Sequence, residues 1–591
     1  MKPVVHLLDH VAGNIRSLVN AIEEVGYNVE WIKSPEDVAK ADKLILPGVG
    51  NFGHCMAQFS GAGYLQAIQK HIENGKPFMG ICVGLQALFH GSAEDPSISG
   101  LGLIDGYLDR FNENSKSVPH IGWNNAHVRG NRGMYGLRQK SKYYYVHSYK
   151  MPYQKDELEN QGWTVATAKY GDEEFIGAIA KGNILATQFH PEKSGAAGLR
   201  VLKAFLYGTD EIDTGEFSVT EKIQDGLTKR VIACLDVRTN DEGDVVVTKG
   251  DQYDVREKST ERGVRNLGKP IEMARVYYEQ GADELTFLNI TSFRECPLAD
   301  LPLLEILRKT SETVFVPLTV GGGIKDTTDI DGRQVSSLEI AKLYFQNGAD
   351  KVSIGSDAVI ATEEYIAGGN KLSGLTAIEK ISRAYGNQAV VVSVDPKRVY
   401  ISDPTLTRHS TIITQNLGPN GESYCWYACT IKGGRETRDI DVVELAQAVE
   451  KMGAGEILLN SIDHDGTNRG FDLELINQVK KAITIPVIAS SGAGNPDHFK
   501  EVFSKTQAEA ALGAGIFHRG EYTILQILGL NIYMIVSGLI VNSREIMEEG
   551  RWVIISKCSK DSTSFWDRNN VLGIDWDKAT SGNHRLELIK F

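Results

Sequence analysis

The run Lys76-Pro77-Phe78-Met79-Gly80-Ile81-Cys82-Val83-Gly84-Leu85-Gln86 decides how the first part of this chain folds. Phe78–Ile81 reads as a short buried strand, Cys82 as a sharp turn, and the residues leading to Leu85, Leu88 and Phe89 as a helix. Gly-x-Cys-x-Gly is the thiol form of the nucleophile elbow: glycines two before and two after let the backbone fold tightly and expose the side chain. The turn sets Cys82 at a helix N-terminus, where backbone N–H groups favour a thiolate. On this pattern alone a buried structural cysteine is an equal reading.

Around the elbow, Val4–Leu8, Val29–Ile32 and Leu44–Leu46 are apolar runs separated by helical patterns such as Ile15–Val25. Strands alternating with helices predict a wound α/β domain with a mostly parallel sheet. The third run ends in Pro47-Gly48-Val49-Gly50-Asn51-Phe52-Gly53, a loop able to aim N–H groups at an anion or to serve as an ordinary turn. Further on, Thr187-Gln188-Phe189-His190-Pro191-Glu192 follows the apolar Ile184–Ala186. In an extended segment residues i and i+2 share a face, so Glu192 can orient His190 and His190 can serve Cys82 as base.

Cys82 with the His190/Glu192 pair resembles the class I glutamine amidotransferases, whose triad is Cys-His-Glu. By that resemblance the wound sheet is flavodoxin-like, Gly48, Val49 and Gly50 belong to the oxyanion strand, and Gln86 lies near the bound glutamine. Pro119–Asn124, Tyr145–Tyr149 and His190–Ser194 are similar to the glutaminase of the imidazole glycerol phosphate synthases. This likeness covers residues 1–207. A polar, acidic stretch at 208–229 then reads as a connector.

From Arg230 a second rhythm begins, with apolar β-branched runs at Val231–Leu235, Leu285–Ile290, Val314–Val320, Lys351–Ile354, Ala389–Val394, Glu456–Asn460, Ile485–Ala489 and Ala508–Leu512. Eight strand–helix units over 230–523 predict a (β/α)8 TIM barrel. Pro317–Gly323 is echoed by Pro486–Gly492, and Gly281–Glu284 by Gly453–Glu456, as a repeat of half-barrels would require. Chemistry in such a barrel sits at the C-terminal strand ends. Asp236 and Asp395, ending strands one and five, face each other across the mouth and suit a general acid and base. Glycine-rich ends on strands three, four, seven and eight make two opposed anion sites, as a ligand with two phosphates would need. Taken singly, each aspartate also reads as a helix cap and each glycine as a turn.

The barrel resembles the cyclase of the same family in ACLDVR (233–238), FLNIT (287–291), TVGGGI (319–324), VVSVDPKR (391–398) and LLNSIDHDGT (458–467). The resemblance implies Asp236 and Asp395 as the acid/base pair. It implies Lys249, Gly322, Gly323, Gly355, Ser356, Asp465, Gly466, Gly492, Gly494, Ala514 and Gly515 as phosphate or substrate contacts. It makes Arg230, Glu284, Lys351 and Glu456 a charged ring where ammonia enters the barrel. The substrates implied are glutamine and the bisphosphorylated phosphoribulosyl-formimino-aminoimidazole carboxamide ribonucleotide, with no metal and no cofactor.

Other features bound the reading. A net charge of −13 gives no support to a nucleic-acid surface. Seven scattered cysteines make no disulfide framework, and Cys425 and Cys429 read as structural. MKPVVHLLDH starts a strand, so a cytoplasmic monomer, its two halves docked in cis, is the expectation. Asp241–Leu267 is a long polar loop with the character of a lid, and Ser410–Arg438 a hairpin-like excursion. The likeness stops near Tyr522. Ile524–Val541 is strongly apolar and at the short limit for a membrane span; a substituted eighth helix with an extension to 591 is the preferred reading, with a misread gene end close behind. Competing functions are a glutaminase feeding a different barrel, and an impaired or sensing variant of this scaffold produced by the altered end.

Overall fold

The computed structural model describes residues 2–8, 13–48, 50–60, 63–130, 133–209, 224–239, 245–247, 269–289, 301–329, 332–535, 545–548 and 551–554. Val49, Lys249, the body of the 241–267 loop, Ile290-Thr291, most of the connector and most of the tail lie outside them.

The N-terminal sheet runs, in spatial order, Asn28–Ile32, Val4–Leu8, Leu44–Leu46, Phe78–Ile81, Ile184–Thr187, Glu173–Lys181, Thr164–Tyr170 and His127–Val128. The first five pair in parallel and the last three antiparallel. Apolar runs without alternation suit strands covered on both faces, and Phe78–Ile81 and Leu44–Leu46 are buried at every position. Phe78–Ile81 lies beside Ile184–Thr187 with Ile81 opposite Thr187. Segments a hundred residues apart in sequence therefore end at one point, and this pairing assembles the first site.

The second half is a closed barrel of eight parallel strands: Arg230–Thr239, Glu284–Asn289, Leu318–Gly321, Lys351–Ile354, Val390–Val394, Glu456–Asn460, Val487–Ser490 and Ala510–Gly513, the last pairing with the first. All eight expected strands are present. Strands three and four stand opposite seven and eight in that order, and one opposite five. After strand five the chain makes an antiparallel excursion in which Tyr424–Ile431 pairs with Pro396–Ile401, Ile412–Ile413 and Glu436–Asp441. Cys425 and Cys429 are buried in its central strand as free thiols. The helix Ile524–Ile535 follows strand eight. Ile524, Ile527 and Leu528 are buried in the barrel's hydrophobic cluster, so the apolar run begins as a closing helix. Among the described residues no helix is long and apolar enough to cross a membrane.

The halves meet at the barrel's N-terminal end. Ile121, Trp123 and Tyr144 join the barrel's core cluster, and Trp123 Nε1 donates to the Asp283 carbonyl at 3.2 Å. Lys193 Nζ lies 2.7 Å from Asp350 Oδ2, and Asn14 Nδ2 donates to Gly348 O and Asp350 Oδ1. On the other flank Ser117 and Lys480 both donate to Glu509 Oε1. The described end of the connector is pinned here too, Thr228 N–H donating to Trp123 O at 3.0 Å.

Candidate active sites

Cys82 has φ 53° and ψ −103°, a conformation that costs an ordinary residue about 1–3 kcal/mol and persists only where neighbours enforce it. The enforcement is steric. A Cβ on Gly80 would lie 2.4 Å from Gly84 O, and one on Gly84 would lie 2.0 Å from Leu46 O. The Cys82 N–H donates to Thr187 O at 2.7 Å, tying the elbow to the neighbouring strand. The helix that follows is only Val83–Gln86, shorter than the apolar pattern predicts, because the chain turns at Ala87–Phe89 to pair with later strands.

His190 and Glu192 come to Cys82 by a different local geometry from the one expected. Pro191–Lys193 is a 3-10 turn rather than a continued strand, with Pro191 presetting its first φ. The turn brings Glu192 Oε1 to 2.8 Å from His190 Nδ1, and both side chains are buried. His190 Nε2 is buried without a hydrogen bond. Burial disfavours a charged imidazole here, yet Glu192 and Cys82 together hold its pKa well above the ordinary histidine range. A base oriented at Nδ1 and open at Nε2 is what a thiol nucleophile requires.

Gly48 packs so closely that a Cβ would lie 2.3 Å from Val83 Cβ. The Val83 N–H, the donor a nucleophile elbow offers to an oxyanion, instead donates to Gly48 O at 3.4 Å. Gly50 has φ 105° and sits against the barrel helix end at Ala384 and Tyr385. A cleft of about 890 Å³ opens beside this loop, lined by Asn51, Glu94 and Tyr149 from one half and Glu379, Arg383 and Asn387 from the other. Burial pushes the Glu94 carboxyl up to about 7, against the Phe52 N–H that donates to it at 2.8 Å. Gln86 is buried, and its Nε2 donates to Gln188 Oε1 and to Tyr149 O.

At the barrel's N-terminal end Arg230, Glu284, Lys351 and Glu456 open strands one, two, four and six and are all buried. Arg230 pairs with Glu456 and, at 2.9 Å, with Glu284; Lys351 bridges Glu284 at 2.6 Å and Glu456 at 2.8 Å. Thr319 donates to Glu284 at 2.6 Å. The ring carries two charges of each sign, so it closes the axis without net charge. Burial and the Glu284 carboxylate raise the Tyr144 phenol, on the glutaminase side, well above its usual pKa.

At the C-terminal mouth Asp236 and Asp395 are half-buried on opposite strands. Asn460 Nδ2 donates to Asp395 Oδ1 at 2.8 Å and to Ser393 Oγ. Burial raises the Asp395 pKa; Asn460 works against that and the nearby Asp465 carboxylate adds to it. Gly322, Gly323, Gly466 and Gly492 are all left-handed, at φ 109°, 71°, 66° and 93°. Gly355 and Ala514 are the N-cap residues of the helices opening at Ser356 and Gly515, and Ser356 Oγ accepts from Lys432 N–H of the excursion. A Cβ on Gly492 would strike Gly470 O at 2.1 Å and one on Gly494 Asn468 O at 2.3 Å. His409, Asp441 and Glu444 bring ligand atoms within 4.8 Å of one another. Their oxygens are committed elsewhere: Asp441 caps the helix Val442–Met452 and Glu444 pairs with Arg408.

Sequence reasoning did not single out Gln188, Glu94 or Asn460. Gln188 lies two before His190, so the alternation that flagged Glu192 also reaches it; Asn460 echoes Asn289 at the matching strand end of the other half-barrel. Glu94 carries no local signal.

Residues 6–208 match the family model for class-I glutamine amidotransferases and residues 230–523 that for histidine biosynthesis proteins. The imidazole glycerol phosphate synthase hisHF of Emericella nidulans is 67% identical over 531 residues, 88% of this chain and 96% of its own length. The protein of that name from Schizosaccharomyces pombe is 58% identical over 87% of this chain and 96% of its own. The chloroplastic one of Arabidopsis thaliana is 54% identical over 88% and 87%.

Proposed function

The chain belongs to the family of fused imidazole glycerol phosphate synthases, and on that premise we propose how its residues divide the work. It is an enzyme of histidine biosynthesis with a glutamine amidotransferase followed by a cyclase barrel. In our reading residues 1–207 form the glutaminase, 208–229 the connector and 230–523 the cyclase. Cys82 Sγ attacks the side-chain amide of glutamine while His190, oriented by Glu192, takes the thiol proton and returns it to the departing ammonia. Water then cleaves the thioester and glutamate leaves. The observation that carries this reading is the buried Glu192–His190 pair with its unbonded Nε2.

The Gly48–Val83 hydrogen bond supports a resting glutaminase. An oxyanion needs that N–H, so loop 47–53 has to turn its carbonyl away before the tetrahedral intermediate is stabilised. A ligand in the barrel activates only by favouring the turned arrangement. Ammonia crosses the ring of Arg230, Glu284, Lys351 and Glu456 and travels the dry barrel axis, where it keeps the lone pair that bulk water would protonate. At the mouth the two glycine-rich ends hold the phosphates of the ribonucleotide. Asp236 and Asp395 assist ring closure and cleavage to imidazole glycerol phosphate and aminoimidazole carboxamide ribonucleotide. A cytoplasmic monomer is part of the same proposal, and the contacts between the halves support their docking in cis. No finding supports the impaired or sensing alternative.

The test is Cys82→Ala assayed with glutamine and, separately, with ammonium salt. Glutamine-dependent turnover falls at least ~1,000-fold while ammonia-dependent turnover persists. Loss of both in a folded protein contradicts separate sites.

A further inference from the structure

Gln188 is a buried polar side chain of the first site that the triad leaves unused. It follows Thr187 at the end of the strand beside the elbow, and its backbone N–H donates to Gly177 O at 2.8 Å. Its Nε2 donates to Cys82 Sγ at 3.4 Å. Its Oε1 accepts from Gln86 Nε2 at 3.2 Å, and Gln86 is itself anchored by a second bond to Tyr149 O at 3.3 Å. Direction matters in this relay. A donor on Gln86 admits only the Oε1 edge of Gln188, and so turns the Nε2 edge toward the sulfur.

Three backbone N–H groups that follow Cys82 are already engaged. The N–H groups of Leu85 and Gln86 donate to Cys82 O, and that of Val83 donates to Gly48 O. A thiolate formed in this buried place loses hydration, and a carboxamide N–H aimed at it strengthens as the acceptor gains charge. We propose that Gln188 is a donor, beside His190, that stabilises the Cys82 thiolate and aims its sulfur, with Gln86 fixing the orientation of the Gln188 amide. The inference rests on Cys82 being the nucleophile. It adds a consequence: Gln86, expected beside the bound glutamine, touches substrate and nucleophile through one hydrogen-bonded pair.

The experiment uses the full chain and follows the pH dependence of glutaminase inactivation by iodoacetamide, which reads the thiolate fraction. In Gln188→Met the midpoint rises by about one pH unit and kcat with glutamine at neutral pH falls about tenfold. KM for glutamine and turnover with ammonium salt stay unchanged. Gln188→Glu, which sets an acceptor against the sulfur, raises the midpoint further. Gln86→Met raises it less, since the Gln188 amide keeps its place but loses its orientation. An unmoved midpoint in Gln188→Met overturns the proposal. If that variant does not fold, an unmoved midpoint in Gln86→Met overturns it instead. Cys82→Ala separates the two levels of the argument: retained glutamine turnover removes the nucleophile assignment, whereas its loss beside an unmoved Gln188→Met midpoint removes only this inference.

Discussion

Both chemical sites are built on the C-terminal ends of parallel strands, yet they are finished in opposite ways. At Cys82 two adjacent strands end together, glycines at 80 and 84 allow backbone to press on backbone, and the triad is buried. At the barrel mouth Asp236 and Asp395 stand on strands one and five, half-buried, with left-handed glycines at the neighbouring strand ends. The first site is crowded, with the Val83 N–H held in an internal bond; the aspartates of the second are less deeply buried. On the proposed reading the closed site has to be rearranged before it works, because the Val83 N–H is taken by Gly48 O.

The largest way to break this comparison is at the mouth. Asp395→Asn lowers cyclisation by about 10²–10⁴-fold with glutamine and with ammonium salt alike, while glutamate release continues. Assaying both products checks it, and a parallel loss of glutamate release argues against independent sites.

Next comes the charged ring between them. Glu456→Ala leaves Arg230 and Lys351 short of a partner in a buried place, a loss of about 3–5 kcal/mol of stability. Denaturant unfolding of the whole chain measures it, and a change below about 1 kcal/mol would mean that water already reaches the ring.

Glu94 sharpens the comparison by pH. Its carboxyl, at about 7 in the fold and near 4.5 as a free side chain, binds a proton more tightly folded than unfolded. Its contribution is fully present below about pH 4.5 and is lost as pH rises through about 7. Glu94→Gln therefore flattens the fall in stability between pH 5 and pH 7, read by denaturation at the two values. An unchanged slope would place the Glu94 carboxyl in water.

The smallest effect belongs to Thr319→Val, which removes one hydrogen bond to Glu284 beneath the barrel and costs about 1–3 kcal/mol. It leaves the Cys82 site untouched, and thermal unfolding with glutamate release distinguishes the two.

The closed site was legible in the sequence because its chemistry is local: an elbow with two obligatory glycines, and a His-Pro-Glu turn that pairs its own ends. Even there the pairing comes from a 3-10 turn rather than strand alternation. The open site was legible through repetition, since aspartates and glycines recur at matching strand ends of the two half-barrels. What stayed hidden depends on distant packing. Glu94 gains its raised carboxyl only through burial in the folded chain, and Lys193 meets Asp350 only because the halves dock. The apolar run from Ile524 looked close to a membrane span because a barrel-closing helix buries one face deeply.

On the proposed reading, ammonia made at Cys82 reaches Asp236 and Asp395 without mixing with solvent. Glutamine labelled with 15N in its side-chain amide, supplied with the ribonucleotide in excess unlabelled ammonium, tests it directly. The account predicts imidazole glycerol phosphate carrying the glutamine label almost undiluted. Label diluted to the bulk ammonium ratio would contradict it.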